Sequence, residues 1–465
     1  MAIVKNKISN SYLNRESLFK GLLTNIEPEN LPDGFVPEVK NLSFDIQGKL
    51  NSVKAPLQIG SLTNPIKTIF MWKKDNNTNL LIVQAGNTLY KYDGTTWTSF
   101  KTFTTAEPAA FSGGFFDTLY IMHHTDGFFS YNGTTVTAMQ DAPKAKYLFL
   151  WTAYLFAGGD LSENKQTPPQ DTTYAPFRVR WSPIVDNSFN GWYQAYEYGG
   201  ETVNNFIDFR TPENSNITGI GVWNRRIVVF TENSIEELYG YKPEAFQVNT
   251  IYKGHLTCLM NSIAYYDYVY YISPDGLCIM GKDAIKVGDA YKKYWKTTGT
   301  YYSLAQYNGN IYGNQDSDIF LYSTQKRTWE HYYFANTSYL YSSSDTLYLG
   351  TTDGKVYKWE KGSTYLPWEV KTKVINYGRS DRYKRPVQLT ILHDKATTSS
   401  TVTVTGIFDD TSKSIGTFDP STAEYHTFWI SEPLFRKVQI KLSGTGEIGI
   451  KAIDLISKIR VTGYV

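Results

Sequence analysis

The sequence has almost no net charge, few cysteines and no long apolar run. Its 46 Lys+Arg and 44 Asp+Glu give a formal net charge of +2, so the overall field would not gather nucleic acid or anionic membranes. Cys258 and Cys278 lie in apolar runs without a CxxC or Cys/His spacing, which favours buried free thiols over disulfides or zinc ligands. The longest apolar stretch, 147–159, is too short to span a bilayer, and the N-terminus lacks an apolar signal region. We therefore expect synthesis in the cytoplasm and no membrane insertion.

Motifs of common catalytic sites are also missing, including the Walker A loop, the dinucleotide fingerprint, G-x-S-x-G and H-E-x-x-H. His123-His124 would point to opposite faces of a strand and cannot easily share one metal ion. Asn314-x-Asp316-x-Asp318 lacks the Gly and Glu of a calcium loop and predicts a polar hairpin turn. The adjacent pairs Glu236-Glu237 and Asp409-Asp410 cannot flank a sugar bond as glycosidase carboxylates do. These patterns predict no enzyme, no cofactor and no metal site.

Aromatic residues and glycines, in contrast, are abundant. Aromatics make up 16% of the chain, hydrophobic residues 41% and charged residues only 19%, with 35 Gly. Such a chain is too apolar to stay disordered, and its composition favours strands and tight turns over helices. An all-β protein is expected.

A sequence repeat predicts the architecture. Residues 91–100 read KYDGTTWTSF and residues 130–139 read SYNGTTVTAM, so Tyr-Asp/Asn-Gly-Thr-Thr recurs with an offset of 39. We interpret Asp93-Gly94 and Asn132-Gly133 as type I′ hairpin turns, in which both central residues have positive φ. The repeated unit is therefore a strand, a tight turn and a second strand that ends in an aromatic residue.

A second pair, DTLY at 117–120 and at 345–348, extends the repeat along the chain. Alignment of the units on the residue that ends the alternating strand gives Tyr92, Tyr131, Trp181, Tyr239, Met280, Tyr322 and Trp359. Most steps are close to the roughly 40–50 residues of a propeller blade, and the two long steps contain polar stretches at 160–176 and 186–205 that we interpret as inserted loops. The sequence predicts a β-propeller of about seven blades, with six or eight also compatible. A pair of β-sandwiches is the alternative.

The repeat ends after Trp359, and the chain divides into three predicted domains. Residues 1–65 form an N-terminal arm with a hairpin over 42–53, which we expect to join or cover the edge of a terminal blade. Prolines at 28, 32, 37 and 56 interrupt other regular elements. Residues 66–365 form the propeller. Residues 366–465 show long alternating strands and form a C-terminal β-sandwich.

Two sets of residues are candidates for contacts with partners. A basic set faces either the lumen of an assembly or an acidic partner and consists of Arg379, Arg382, Lys384 and Arg385. An apolar set in the arm is too hydrophobic to stay solvated and consists of Tyr12, Leu18, Phe19, Leu22 and Phe35. We expect residues 1–40 to become ordered largely on a neighbouring subunit, with packing on their own domain as the alternative. Loop 160–176 is a further candidate contact element.

Three segments together resemble the β-propeller neck and tail proteins of tailed bacteriophages, such as packaged-DNA stabilisation (stopper) proteins and tail nozzles. The first is the arm, with Leu31-Pro32-Asp33-Gly34, Asn41 and the Gly48 hairpin, although Lys54-Ala55-Pro56 replaces the usual Arg-Pro-Gly. The second is FRVRWSPIVDNSFNGW followed by GIGVWNRRIVVFTENSIEELYG, at 177–192 and 219–240. The third is KTKVINYGRSDRYKRPVQL at 371–389, similar to the opening of the C-terminal sandwich in these proteins.

The resemblance implies a structural virion protein of the neck or tail that assembles in the host cytoplasm. It implies a homo-oligomeric ring, a hexamer in such proteins, placed below the portal and in contact with portal, adaptor and other tail proteins. Genomic DNA would be retained in, or conducted through, the lumen of this ring. The alternative is a carbohydrate-binding or glycosidase-like propeller at a tail tip or cell surface.

Overall fold

The structure is a computed structural model that describes residues 11–75, 78–113, 117–186, 189, 191–193, 196–198, 201–203, 205–209, 215–240, 242, 245–255, 257–259, 262–280, 284–296, 302–378, 380–430 and 433–459. Strands make up more than half of the described residues, and the one helix among them is a short 3-10 segment at Gly288–Tyr294. The all-β prediction is confirmed.

The N-terminal segment contributes seven short strands: β1 (Ser11–Ser17), β2 (Gly21–Leu22), β3 (Phe35–Val36), β4 (Glu38–Lys40), β5 (Leu42–Phe44), β6 (Leu50–Ser52) and β7 (Leu57–Ser61). Sheet 1 follows with β8 (Ile66–Lys73), β9 (Asn79–Ala85), β10 (Thr88–Tyr92) and β11 (Trp97–Thr102). Sheet 2 contains β12 (Ala110–Gly113), β13 (Leu119–His123), β14 (Gly127–Tyr131) and β15 (Val136–Met139). Sheet 3 contains β16 (Tyr147–Trp151), β17 (Tyr154–Gly158), β18 (Arg178–Ile184) and β21 (Phe206–Asp208), with a separate two-stranded ribbon of β19 (Tyr196–Tyr198) and β20 (Glu201–Val203).

Sheet 4 contains β22 (Ile217–Trp223), β23 (Arg226–Thr231), β24 (Ser234–Tyr239) and β25 (Gln247–Lys253). Sheet 5 contains β26 (Ile263–Tyr265), β27 (Val269–Ser273), β28 (Gly276–Met280) and β29 (Ala284–Lys286). Sheet 6 contains β30 (Tyr302–Tyr307), β31 (Asn310–Gln315), β32 (Asp318–Ser323) and β33 (Thr328–Tyr333). Sheet 7 contains β34 (Thr337–Ser343), β35 (Thr346–Thr351), β36 (Lys355–Lys358) and the N-terminal strand β7.

These small antiparallel sheets are arranged like propeller blades. The first strand of each sheet contacts the first strand of the next sheet, and β34 of sheet 7 contacts β8 of sheet 1. A hydrophobic cluster lies between each neighbouring pair, for example the cluster that joins Trp72 of sheet 1 to Ile121 of sheet 2. Ile66 and Val356 share the cluster between sheets 1 and 7. Each residue aligned in the repeat, from Tyr92 to Trp359, lies on or directly after the third strand of one sheet.

The Tyr-Asp/Asn-Gly-Thr-Thr repeat forms a longer turn than predicted. Gly94 and Gly133 have φ of 107° and 99°, but the preceding Asp93 and Asn132 do not have positive φ, so the type I′ prediction is wrong. Strand pairing stops at Tyr92↔Trp97 in the first repeat, which leaves a four-residue loop. The side-chain oxygens of Asp93 and Asn132 each accept two backbone N–H groups inside the loop, at 2.8 and 2.9 Å. These hydrogen bonds stabilise the four-residue loop, so the chain does not need the two positive φ angles of a type I′ turn.

The N-terminal strands are distributed over several sheets. Strand β7 pairs with β36, so a strand from the predicted arm completes sheet 7. Leu22 of β2 pairs with Trp329 of sheet 6, and β3 pairs with β2. The hairpin β5–β6 forms as predicted, but it pairs with a C-terminal strand and not with the edge of a terminal blade-like sheet. The expectation for the hairpin is therefore corrected, because its inward Leu42, Phe44 and Leu50 join the core of the C-terminal region.

The C-terminal region contributes β37 (Trp368–Lys371), β38 (Lys384–His393), β39 (Val402–Phe408), β40 (Thr411–Phe418), β41 (Tyr425–Trp429), β42 (Val438–Gly444) and β43 (Gly449–Ile459). Sheet 8 has the order β41-β38-β43-β6-β5, and β1 also pairs with β43. Sheet 9 has the order β4-β37-β42-β39-β40. Leu389 and Ile453 of sheet 8 share one hydrophobic cluster with Val404 and Ile440 of sheet 9. Alternate burial along β39 matches a sheet with one face in this core.

Two polar side chains hold the N-terminal strands against sheet 6. Asn41, with φ of 56°, donates to the Pro367 carbonyl at 2.7 Å and accepts the Tyr333 N–H at 2.7 Å. The buried Glu330 carboxylate accepts the Phe44 N–H at 3.0 Å and the Tyr332 hydroxyl. Burial raises the pKa of Glu330 to about 7. The junction between sheet 6 and the C-terminal sheets thus contains a carboxyl group that titrates near neutrality.

Candidate functional site

The predicted basic set is not a uniform contact surface. Lys384 is buried, and its ammonium group donates to the carbonyl oxygens of Arg382 and Arg436 at 2.8 Å each. Desolvation lowers the pKa of this lysine. Arg382 and Arg385 are exposed, whereas Arg379 lies outside the described residues. Lys384 therefore joins two chain segments, and the candidate contact surface contains the two exposed arginines.

Sequence reasoning missed a third arginine at this place. The exposed Arg436 lies over the ring of exposed Tyr383, with 4.8 Å between the guanidinium carbon and the ring centroid. Cation–π pairs of this kind are common throughout protein structures, and in sites for single-stranded nucleic acids arginine adds to the stacking of bases on aromatic rings. Nothing in the local sequence links the two residues, because the pairing of Lys384 with Phe435 brings them together.

The described part of the arm packs on its own chain. Phe19 and Leu22 are buried in the large hydrophobic cluster that contains residues of sheets 5, 6, 8 and 9, and Phe35 is partly buried. Leu18, in contrast, is 65% exposed. Tyr12 lies on β1, paired with Ser457 of β43. Of the four predicted arm residues whose side chains the structure describes, Leu18 is thus the one with a clearly exposed side chain, and a role of the arm in assembly stays a prediction.

The outer face of sheet 8 exposes a set of apolar side chains. Strand pairing aligns one row across the sheet, consisting of Leu13, Ile456, Gln388 and Trp429. A parallel row consists of Ser17, Ala452, Leu392 and Tyr425. Trp429 is 76% exposed, Tyr425 62% and Leu13 58%. Leu13 lies on one edge strand and Trp429 on the other, three strands apart, and a row of Arg15, Asp454, Thr390 and Thr427 separates the two apolar rows.

The sequence carries a weak signal for this face. Residues 425–429 read YHTFW, a run rich in aromatic residues without Asp, Glu, Lys, Arg or proline. Such a pattern is typical of a strand covered on at least one face. Only the strand order shows that β41 lies at the edge of its sheet, with a described strand paired on one side only.

Loop 160–176 is held to sheet 3 by a buried ionic cluster. The Glu163 carboxylate contacts Arg178 and Arg180 at 2.9 Å each, and Arg178 also contacts Asp208 at 2.6 Å. The Tyr193 hydroxyl donates to Glu163 at 2.8 Å. Residues 166–170 at the tip are exposed. The loop is therefore anchored at its base, and its proposed contact role concerns the tip.

A cavity of about 850 Å³ lies between the first strands of the blade-like sheets. Its walls include Phe70, Phe111 and Tyr341, with the two Phe rings stacked at 5.7 Å. The charged side chains among its described walls are Lys67 and Lys146, and Lys146 contacts Asp160 at 2.9 Å. The cavity wall therefore combines aromatic and apolar side chains with hydroxyl, amide and ammonium groups.

The histidines and cysteines have separate structural partners. His123 accepts the Asp126 N–H at 3.1 Å and stacks on Phe103 at 4.0 Å. His124 contacts Glu107 at 3.2 Å. Among the residues that the structure describes, no three His, Cys, Asp or Glu side chains are grouped so as to hold a metal ion. Cys258 and Cys278 are buried and are not joined in a disulfide, as predicted.

Within the described ranges, no helix has the length and hydrophobicity needed to cross a bilayer. No protein-family model and no curated protein matches the chain. Among solved structures it is similar to the computationally designed Ika8 protein, with a TM-score of 0.39, 11% identity, and coverage of 66% of this chain and 99% of that one. It is also similar to the extracellular domain of a hybrid two-component system of B. thetaiotaomicron, with a TM-score of 0.44, 13% identity, and coverage of 81% and 47%. A chain of the mitotic checkpoint complex gives a TM-score of 0.41, 10% identity, and coverage of 67% and 96%. TM-scores below 0.5 support no inference about function.

Proposed function

We propose that the chain is a structural virion protein of the neck or tail of a tailed bacteriophage, of the stopper or nozzle type. It assembles in the host cytoplasm into a homo-oligomeric ring below the portal, contacts portal, adaptor and tail proteins, and helps to retain or conduct genomic DNA. It acts by assembly and not by catalysis.

For the fold we propose a seven-bladed propeller formed by sheets 1–7 and a β-sandwich formed by sheets 8 and 9. The contact of β34 with β8 and the shared cluster of sheets 7 and 1 support a closed ring of blades. The cluster shared by sheets 8 and 9 supports the sandwich. Because β7 completes sheet 7, separation of the first and last blades would break a strand ladder.

The observation that carries the proposed function is the exposed outer face of sheet 8. Trp429, Tyr425 and Leu13 are each more than half exposed on one face, where burial of an aromatic side chain on a partner would be favourable. The exposed Arg382 and Arg385 lie in the same C-terminal region and offer planar donors for DNA phosphates. A rigid body with these two features is suited to a subunit of a ring around DNA.

The proposal is tested by electron microscopy of the purified full chain and by mass spectrometry of purified virions. We expect ring-shaped particles and the presence of the protein in virions. A strictly monomeric protein that is absent from virions would refute the proposal.

The DNA role is tested by Arg382→Glu combined with Arg385→Glu, with exposed Lys413→Glu on β40 as the matched control. The double variant should reduce packaged DNA in a salt-dependent way, because exposed charges are screened over roughly 8–10 Å. Equal DNA retention by the double and control variants would remove DNA contact from the proposal.

The aromatic cavity favours one alternative, a carbohydrate-binding propeller. Phe70, Phe111 and Tyr341 present rings to the cavity, and aromatic faces are suited to packing against the apolar faces of ligands. Binding of the chain on a glycan array, abolished by Phe70→Ala but unchanged by exposed Lys413→Glu, would favour this alternative.

A further inference from the structure

We infer that copies of this chain join head to tail through sheet 8, with β41 of one copy pairing antiparallel with β1 of the next. The inference deepens the proposed function and rests on it, since it requires copies of the chain to self-assemble. It names the two strands that form the joint.

The first half of the joint is the open edge of β41. Within the described residues β41 pairs only with β38. The Ile430 N–H donates to Val387 at 3.0 Å, and the His393 N–H donates to Glu424 at 2.9 Å, so the backbone groups of Tyr425, Thr427 and Trp429 point away from β38. Soluble proteins usually protect such edges with charges, prolines or bulges. Residues 425–429 contain no charge and no proline.

The second half of the joint is the outer edge of β1. All seven residues of β1 pair with β43, from Ser11↔Lys458 to Ser17↔Ala452. Strand β6 pairs with β43 only at Gly449 and Ile450, beyond this ladder. Among the described strands, none pairs with the other edge of β1. Across the ladder of β41, β38, β43 and β1, both outer edges are therefore open among the described strands.

The strand directions match across the joint. In the order β41, β38, β43, β1 every neighbouring pair is antiparallel, so β41 and β1 run in opposite directions. A second copy placed beside the first by rotation about an axis along the strands would set its β41 antiparallel to β1. Trp429 would then continue the cross-strand row that contains Leu13. Such a contact between two different edges of identical chains builds a ring when the rotation closes.

The two edges favour a second copy of the chain as the occupant, because they run in opposite directions within one molecule. Aromatic side chains bury about 150–250 Å² each, so Trp429 and Tyr425 supply at most roughly 400 Å² per partner at one joint. A standard specific interface buries about 800 Å² per partner. One joint has about half of this area, so we expect a closed ring to be more stable than an isolated dimer, because closing the ring adds a joint without adding a copy.

The test uses cysteine pairs in the full chain. Leu13→Cys combined with Trp429→Cys places two thiols in one row but three strands apart within a copy, about 14 Å, which is too far for a disulfide. Between copies they would be neighbours. Leu13→Cys combined with Thr427→Cys or with Tyr425→Cys covers registers shifted by one row and by two rows. We expect a ladder of disulfide-linked oligomers from one of these pairs, at least about tenfold more abundant than the product of either single variant.

A second test blocks the edge. Thr427→Pro removes an N–H that faces away from β38, a position at which edge strands tolerate proline, and Trp429→Lys adds a charge. Both should abolish rings while the monomer stays folded by circular dichroism, and Ser412→Lys on the exposed strand β40 should not. The joint would be refuted if Thr427→Pro and Trp429→Lys both still formed rings and none of the cysteine pairs gave a cross-link. The proposed function would then remain intact. Dimers from Trp429→Cys alone would refute it in favour of a symmetric β41 pair. Wild-type protein that forms no rings and is absent from virions would refute the proposed function itself.

Discussion

Glu330 should make the stability of the chain depend on pH near neutrality. Its carboxylate is buried between sheet 6 and β5, where it accepts the Phe44 N–H at 3.0 Å and the Tyr332 hydroxyl. Lys326 approaches the same place and donates to the Phe44 carbonyl at 2.7 Å. Desolvation raises the pKa of Glu330 by more than these hydrogen bonds and the charge of Lys326 lower it. The pKa is therefore raised from 4.5 to about 7.

The direction of the effect follows from proton linkage. The folded state binds the Glu330 proton more tightly than the unfolded state, so its contribution to stability is fully present below about pH 4.5 and is lost as pH rises through about 7. One pKa unit corresponds to about 1.4 kcal/mol, so the full change is on the order of 3 kcal/mol. Other carboxyl groups also contribute to the pH dependence of stability. The difference in unfolding free energy between the wild type and a variant at Glu330 isolates the contribution of Glu330.

The assay is urea denaturation of the wild type and of Glu330→Gln at several pH values from 5 to 8, followed by tryptophan fluorescence. Gln has a similar shape and does not titrate. The variant should gain stability relative to the wild type as pH rises, by up to about 3 kcal/mol. Exposed Glu424→Gln serves as the control and should give a curve parallel to the wild type. Parallel curves for Glu330→Gln as well would refute the reasoning.

Three further predictions concern buried polar groups. Glu163→Ala should destabilise the chain by about 3–5 kcal/mol, because it removes the buried carboxylate that Arg178 and Arg180 share. Asp353→Ala, which breaks an exposed ion pair, should cost at most about 1 kcal/mol. Equal urea midpoints for the two variants would contradict this prediction. Lys384→Met should cost about 1–3 kcal/mol, because two carbonyl groups lose their donor. Arg382→Met should have a stability within about 0.5 kcal/mol of the wild type. Both are measured by thermal unfolding, and an unchanged stability of Lys384→Met would show that the hydrogen bonds of Lys384 do not stabilise the fold. Asn41→Gly and Asn41→Ala both remove the two hydrogen bonds of the side chain. Asn41→Ala should destabilise the chain by about 1–2 kcal/mol more than Asn41→Gly, because alanine disfavours the positive φ at this position. The same unfolding midpoint for both variants would be inconsistent with that backbone conformation.

The sequence by itself determined the features that depend on neighbouring residues. Strand alternation and the repeated Asp/Asn-Gly-Thr-Thr loops indicate small meanders, because each loop is stabilised by a side chain bonding to N–H groups two and three residues later. Alignment of the units on the residue that ends the alternating strand gave seven positions, from Tyr92 to Trp359, that lie on or directly after the third strand of each of the seven sheets. It could not show that the loop has four residues, since the same letters suit a shorter turn.

Tertiary structure alone decided where distant segments meet. Strand β7 completes sheet 7 although nearly 300 residues separate it from β36, and no local pattern specifies such a partner. In the sequence Lys384 is typical of a solvated charge. In the structure its ammonium group donates to the carbonyl oxygen of Arg436, and this hydrogen bond offsets part of the cost of burying the charge. Likewise, YHTFW at 425–429 predicts a strand, while only the strand order of sheet 8 leaves Trp429 exposed at an open edge. Local hydrogen bonds and periodicity depend on nearby residues, whereas edges and buried charges depend on which segments pack together.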